Sequence, residues 1–302
     1  MSEKPEILVF GEVLFDCFQN GERVLGGAPF NVAWHLQALG DNPKLISRIG
    51  DDELGRMILM AMRRWEMDVT HVQVDPKHPT GKVEVTMIHN EPNYRITPNC
   101  AYDFISAERM FSLPRRGILY HGTLGLRNEV SRKAFSHLLQ CCPELSVFLD
   151  VNLRSPWWKK EEVYHWLEKA RWVKLNEHEI QQLELGHDDT EEAMEKLKMQ
   201  FGLEQVILTL GEKGAMVLGH DGEFHYVVPT KADHFVDAVG AGDAFTAVYI
   251  HGLLSGWGIS ESLQSAQKFA SQVIGLRGAT TNDSDFYREF IKNELHGFRI
   301  VE

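Results

Sequence analysis

Short apolar runs of strand type alternate with longer amphipathic stretches along most of this chain, and that rhythm restricts the fold more than any other feature. The runs at 7–10, 44–49, 118–121, 147–151 and 172–175 are followed by stretches with helical spacing at 31–39, 54–65, 130–140, 161–170 and 177–185. A strand followed by a helix, repeated, builds a mostly parallel sheet with helices on both faces, so the fold class is α/β. The later runs at 205–209, 215–218 and 223–228 are separated by Gly211-Glu-Lys-Gly214 and His220-Asp-Gly222. These hairpin-like turns predict an antiparallel edge to the sheet.

One region breaks the rhythm. Residues 81–88 alternate in strand fashion, turn at His89-Asn-Glu-Pro-Asn93 and resume at 94–97. An inserted β-ribbon is the natural reading. Residues 13–25, with Asn20-Gly21 as a two-residue turn, supply partner strands. We therefore expect one domain over 1–302 carrying a small β-lid, inserted from about 12–28 and 72–104. No repeat or flexible linker argues for a second bead.

Charge narrows the partners. Of the 302 residues, 31 are Lys or Arg and 43 Asp or Glu, a net charge of −12. The overall field repels nucleic acid and anionic membrane, so an anionic ligand needs a local device. The longest apolar stretch, 244–254, is well short of the ~20 residues of a membrane span. The N-terminus lacks a signal-peptide pattern, which points to the cytoplasm. Cys17, Cys100, Cys141 and Cys142 show no C-x-x-C spacing, and we expect reduced, mostly buried thiols.

Two segments carry chemistry. In Asp237-Ala-Val-Gly240-Ala241-Gly242-Asp243, the glycines permit a tight turn whose backbone N–H groups converge, and the helix that follows adds its positive end. That makes an anion cradle, and Asp243 beside it suits a general base; an ordinary helix start capped by Asp243 fits the same residues. In Gly26-Gly27-Ala-Pro-Phe-Asn31, two glycines allow close approach of a ligand and Asn31 offers both donor and acceptor to a hydroxyl. The alternative there is a loop–helix junction with Asn31 facing solvent. A P-loop is absent, and Gly240-Ala-Gly242-Asp-Ala-Phe245 lacks the third glycine of the dinucleotide fingerprint.

These two segments, in this order, resemble the two signature regions of the ribokinase-like (pfkB) carbohydrate kinases. The resemblance extends through Ser47-Arg-Ile-Gly-Asp-Asp-Glu-Leu-Gly55, Asp150-Val-Asn-Leu-Arg154 with Trp157, Lys174-Leu-Asn-Glu-His-Glu179 and Thr209-Leu-Gly-Glu-Lys-Gly214, over roughly residues 6–280. Gly-Gly-Ala-Pro-Phe-Asn and the Asp-x-Asn-x-Arg segment look most like fructokinases.

The resemblance implies an ATP-dependent sugar kinase that uses Mg²⁺, with fructose as the first choice of sugar. It makes Asp243 the catalytic base and Gly240, Ala241 and Gly242 the anion hole. It gives Asp16, Gly27 and Asn31 the sugar hydroxyls, and Arg154 the phosphate or the sugar, against an ion pair with an acid such as Asp150. Tyr94, Arg95 and Tyr102 of the lid are candidates to reach the sugar. Asn176 and Glu179 fall near the nucleotide phosphates, with Glu179 meeting Mg²⁺ through water, although a helix cap and capping-box acid fit the spacing equally. Thr209, Gly211 and Gly214 match the nucleotide loop, and Asn282 the adenine pocket. Asp237 lies at the monovalent-cation loop, where Ala238 replaces the family's usual Thr and weakens the case for K⁺. The rivals are 2-keto-3-deoxygluconate kinase, ribose or nucleoside kinase and, from another class, a catalytically silent sugar sensor. The open edges of a lid ribbon invite a homodimer.

Overall fold

The apolar run that opens the chain becomes an inner strand of a large sheet. In this computed structural model, which describes residues 5–88, 91–110, 112–186, 189–229 and 235–295, β1 (Glu6–Phe10) pairs in parallel with β4 (Lys44–Gly50) and β8 (Arg116–His121). Beyond β8 come β9 (Glu144–Asp150), β10 (Trp172–Asn176) and β11 (Gln205–Thr209), all parallel. Then β12 (Ala215–Leu218) and β13 (Phe224–Val227) add the expected antiparallel edge. β5 (Val72–Asp75) closes the other edge beside β4.

Alternation sends successive side chains of one strand into two different cores. Ile7 and Val9 join Phe30, Trp34, Val248 and Phe269. That core lies under α1 (Ala28–Ala38), α2 (Glu53–Arg64), α7 (Ala241–Ser255), α8 (Ile259–Val273) and α9 (Ser284–Phe290). Leu8 and Phe10 join Phe135, Leu138, Trp166 and Leu197 under α3 (Glu129–Cys141), α4 (Lys160–Leu167), α5 (Glu177–Gln182) and α6 (Thr190–Phe201). With Leu8 fully buried, Leu8→Ala would cost about 2–5 kcal/mol. α6 and α8 lie outside the runs read from sequence. In α8 the inward face mixes Ser262, Ser265 and Gln267 with Leu263, Ala266 and Phe269.

The lid is a separate four-stranded sheet in the order β3 (Arg23–Gly26), β2 (Leu14–Phe18), β6 (Gly81–Ile88), β7 (Glu91–Ile96). Its inner face packs Leu14, Val83 and Val85 on Cys100 and Tyr102. Two expectations need correction. The second inserted segment begins at Gly81, not near 72, because Val72–Asp75 extends the main sheet by parallel pairing with β4. Cys141 is exposed and Cys17 only partly covered, so the thiols are not mostly buried. Of the turn expected at 89–93, residues 89 and 90 lie outside the described residues. Among the described residues, no helix is long and apolar enough to cross a membrane.

Candidate active site

A cleft of about 570 Å³ lies between the lid and the carboxyl ends of the parallel strands, the usual binding edge of an open α/β sheet. β1 leads into Glu12, β9 ends at Asp150, β10 at Asn176 and β11 at Thr209, and all four residues line it. The lid supplies Asp16, Tyr94 and Ile96, and the start of α7 supplies Gly240, Gly242 and Asp243. A groove of similar volume between α3 and α4, lined by Arg132, His137 and Trp166 among others, holds none of the residues singled out from the sequence.

Gly240 is the N-cap of α7 with φ of 82°, a left-handed conformation that favours glycine. A Cβ there would overlap Ala279. Gly242 is different: its Cβ would meet only Lys174 Nζ, at 3.6 Å. The first turn of a helix has N–H groups with no partner within the helix, so the turn faces an open, electropositive gap suited to a phosphate. Asp243 does not cap α7. Its Oδ2 instead accepts a 2.8 Å hydrogen bond from Asn31 Nδ2 in α1, which is buried rather than turned to solvent. A Cβ on Gly26 would lie 3.8 Å from Asn31 Oδ1 and 3.9 Å from Asp16 Oδ2, so these two groups share one corner of the cleft.

Burial governs the carboxyls. It pushes Asp243 up to about 6, against the Asn31 hydrogen bond and the charges of Lys174 and Arg154, and with the help of Asp150. It raises Asp16 to about 6 against Arg154, and Glu12 to about 7. Carboxyls held near neutrality are poised to exchange protons. Lys174 Nζ lies 3.0 and 2.9 Å from the two oxygens of Asp150, and Thr246 Oγ1 of α7 donates to Asp150 Oδ2 at 3.1 Å. Burial opposes the Lys174 charge, but Asp150 and Glu179 more than offset it and hold the ammonium above its ordinary range.

Arg154 forms no pair with Asp150; it lines the cleft and its Nη1 donates to the Leu153 carbonyl. Asn176 and Glu179 form a capping box at the start of α5: Asn176 Oδ1 accepts from Glu179 N, and Glu179 Oε2 from Asn176 N, both at 2.9 Å. Glu179 Oε1 also accepts from Leu153 N, so both its oxygens are engaged while the residue lines the cleft. Asp237 Oδ1 accepts from Val239 N.

Several expected residues stand elsewhere. Arg95 is on the opposite face of β7 from Tyr94 and Ile96, within 3.9 Å of Glu84, and does not line the cleft. Tyr102 is fully buried under the lid with Arg127 stacked 5.0 Å from its ring, because it belongs to the lid core. Gly211 and Gly214 lie in the turn after Thr209, and Asn282 is exposed before α9; none of the three lines the cleft.

Two charged lining residues, Lys174 and Glu12, have no role in the sequence reading. Lys174 interrupts an apolar strand, and a lysine within a buried parallel strand signals a paired charge. Glu12 interrupts the apolar stretch just past β1, at the sheet edge where ligands bind.

The description "pfkB family carbohydrate kinase" matches residues 4–285. The chain belongs to this family. As a pfkB carbohydrate kinase it is a phosphotransferase with a hydroxyl acceptor, and the family implies ATP and a divalent metal. The fructokinase of Klebsiella pneumoniae is 28% identical over 296 residues, covering 91% of this chain and 95% of that one. An ATP-dependent 6-phosphofructokinase of Thermoanaerobacterium thermosaccharolyticum is also 28% identical, over 294 residues, covering 91% and 89%. The fructokinase of Vibrio cholerae O395, solved with fructose, ADP and calcium ion, superposes with a TM-score of 0.80 at 26% identity, covering 94% and 98%.

Proposed function

We propose that this pfkB kinase phosphorylates fructose or a closely similar neutral sugar, with Asp243 as the general base. The observation that carries the reading is the 2.8 Å bond from Asn31 to Asp243, which brings the second signature segment against the first. Asp16, Gly27 and Asn31 hold the sugar hydroxyls, and Tyr94 covers them from the lid. Asp243 takes the proton of the reacting hydroxyl, and Asn31 keeps its carboxylate aimed and ionised.

Bound ATP supplies the transferable phosphoryl group, and Mg²⁺ neutralises charge on it. The space between Gly242 and Lys174 fits a phosphate, because a Cβ on Gly242 would meet nothing but the ammonium. Gly240 and Gly242 offer backbone N–H groups to the phosphoryl oxygens, with Lys174 and Arg154 as nearby positive charges, and the Ala241 N–H, which donates to the Ala238 carbonyl at 3.3 Å, would have to exchange that bond to join them. Asn176, Thr209 and the Gly211–Gly214 turn serve the nucleotide side. Glu179 would hold Mg²⁺ through water rather than directly, since both its oxygens already accept backbone N–H groups. Asp237 is the group that would ligate a monovalent cation; Ala238 offers no hydroxyl beside it, so K⁺ is not part of the reading. The kinase acts in the cytoplasm, and the open edges at β3 and β7 suit pairing with a second copy.

The cleft favours a neutral acceptor over an acid sugar or sugar phosphate. Its lining carries five acids, Glu12, Asp16, Asp150, Glu179 and Asp243, against Lys174 and Arg154, and Lys174 is already paired with Asp150. Coupled ADP release over fructose, fructose 6-phosphate, ribose, a nucleoside and 2-keto-3-deoxygluconate tests the reading. Fructose should give the highest kcat/KM. Turnover with fructose 6-phosphate alone would reassign the acceptor, and sugar binding without turnover would make the chain a sensor.

A further inference from the structure

Since Asp150 is paired with Lys174, Glu12 is the one carboxyl among those lining the cleft with neither a basic partner nor a place in the proposed reaction. It follows β1 by two residues and is 3% exposed, and its Oε2 is buried with no hydrogen-bond partner. The space it occupies is made for it: a Cβ on Gly125 would lie 3.2 Å from Oε2, and one on Gly27 would lie 2.9 Å from the Glu12 carbonyl oxygen. A buried carboxylate oxygen with nothing to accept is costly to the fold, and residues of purely structural use are normally paired.

Neither nearby guanidinium pairs with it. Arg127 is held by both oxygens of Asp103, at 2.7 and 2.8 Å, and Arg154 Nη1 is turned to the Leu153 carbonyl. The Glu12 backbone N–H serves its own carboxylate. Arg127 Nη1 and the hydroxyls of Tyr102 and Tyr120 are buried without partners as well, and none of them bonds Oε2, while Glu12 itself lines the cleft. Asn31 Oδ1, in the corner shared with Asp16, is likewise buried without a partner.

We infer that Glu12 is a further acceptor-binding residue, its Oε2 taking a hydroxyl hydrogen of the sugar beside those held by Asp16 and Asn31. The inference rests on the sugar-kinase reading. The chemistry excludes the phosphates and suits a polyol: a carboxylate accepts hydrogen bonds only, hydroxyls donate them, and phosphates repel it, while Gly27, packed on the Glu12 carbonyl, and Asn31 belong to the sugar side. Burial pushes the Glu12 carboxyl up to about 7, with Asp243 adding to the rise; its own backbone N–H, Arg154 and Arg127 pull it back, and a hydroxyl donor would favour the ionised form further.

The test compares wild type with Glu12→Met, which removes both oxygens at similar volume, and Glu12→Gln, which keeps one. Initial rates are measured with the preferred sugar and each of its single-deoxy analogues, with a thermal melt of each variant. In Glu12→Met the sugar KM should rise about 10- to 100-fold, the range for a lost hydrogen bond to a charged group, with ATP KM unchanged. The decisive readout is the deoxy series. Wild type should discriminate against one deoxy position by a similar factor, and that discrimination should vanish in Glu12→Met and return in part in Glu12→Gln. Should the Met variant not fold, Glu12→Gln carries the same comparison, with discrimination at that position reduced. An unchanged deoxy pattern, or equal losses for sugar and ATP, would overturn the inference while leaving the sugar-kinase reading intact. A wild-type chain that turns over no sugar would overturn that reading and the inference together.

Discussion

Lys174 and Asp150 stand in register on neighbouring parallel strands, with the ammonium 3.0 and 2.9 Å from the two carboxylate oxygens at the floor of the cleft. The pair is nearly dry, with side chains 9% and 2% exposed, and Thr246 ties it to the helix that carries Asp243. It thus couples the strand ends to the first turn of α7. Removing one partner strands a buried charge, so Lys174→Met should destabilise the fold by about 3–5 kcal/mol. Adding Asp150→Asn should recover much of that loss without restoring phosphoryl transfer. Denaturant titration and kinetics on both variants check this, and a stable single variant would contradict the pairing.

Gly240 and Gly242 are two residues apart and should fail in different ways. Gly240→Ala forces a side chain into a left-handed backbone and into Ala279, so its main effect should be a lower melting temperature. The Cβ that Gly242→Val adds meets only Lys174 Nζ, at 3.6 Å, so the variant should fold and yet abolish turnover by filling the phosphate gap. Melting curves beside steady-state rates separate the two, and normal kinetics in Gly242→Val would make the turn merely structural.

What the sequence disclosed follows from how local each feature is. The Gly240–Asp243 turn and the Gly26–Asn31 junction are contiguous, so their glycines and polar groups announce a ligand site before any fold is known. That Asn31 bonds Asp243 across 212 residues is a product of α1 packing against α7, and no local pattern carries it. Alternation along 81–96 revealed the ribbon but not which residues face inward, so Arg95 was grouped with Tyr94 although successive strand residues point to opposite faces. Tyr102 stands among the candidates to reach the sugar because its burial depends on β6 and on Arg127, which no local pattern discloses. Four-residue β5 is too short to declare which of two sheets it joins.

The Asn31–Asp243 bond also sets a pH dependence. Burial raises the Asp243 carboxyl to about 6, and the Asn31 N–H holds it below the value burial alone would give. A base must be ionised, so wild-type kcat/KM should fall as pH drops through about 6. Asn31→Ala removes the donor and should move that acid limb to higher pH, besides weakening sugar binding. A limb that stays in place would show that another carboxyl, such as Asp16 or Glu12, controls it.

Asp16 separates the two halves of the cleft. It lines the lid side on β2, so Asp16→Ala should raise sugar KM by about 10- to 100-fold with little change for ATP. Parallel titrations of both ligands check this, and equal losses would place Asp16 outside the sugar pocket.

Asp243 as the proton acceptor is the claim on which the rest depends. Asp243→Asn preserves shape and removes only the ability to take the hydroxyl proton, while its loss of charge beside the phosphates should leave ATP binding intact or tighter. The direct measurement is single-turnover phosphoryl transfer from ATP to the preferred sugar, with both ligands saturating. A fall of about 10²- to 10⁴-fold in a variant that melts like wild type is the expected result, and a folded variant that transfers the phosphoryl group at the wild-type rate would contradict it.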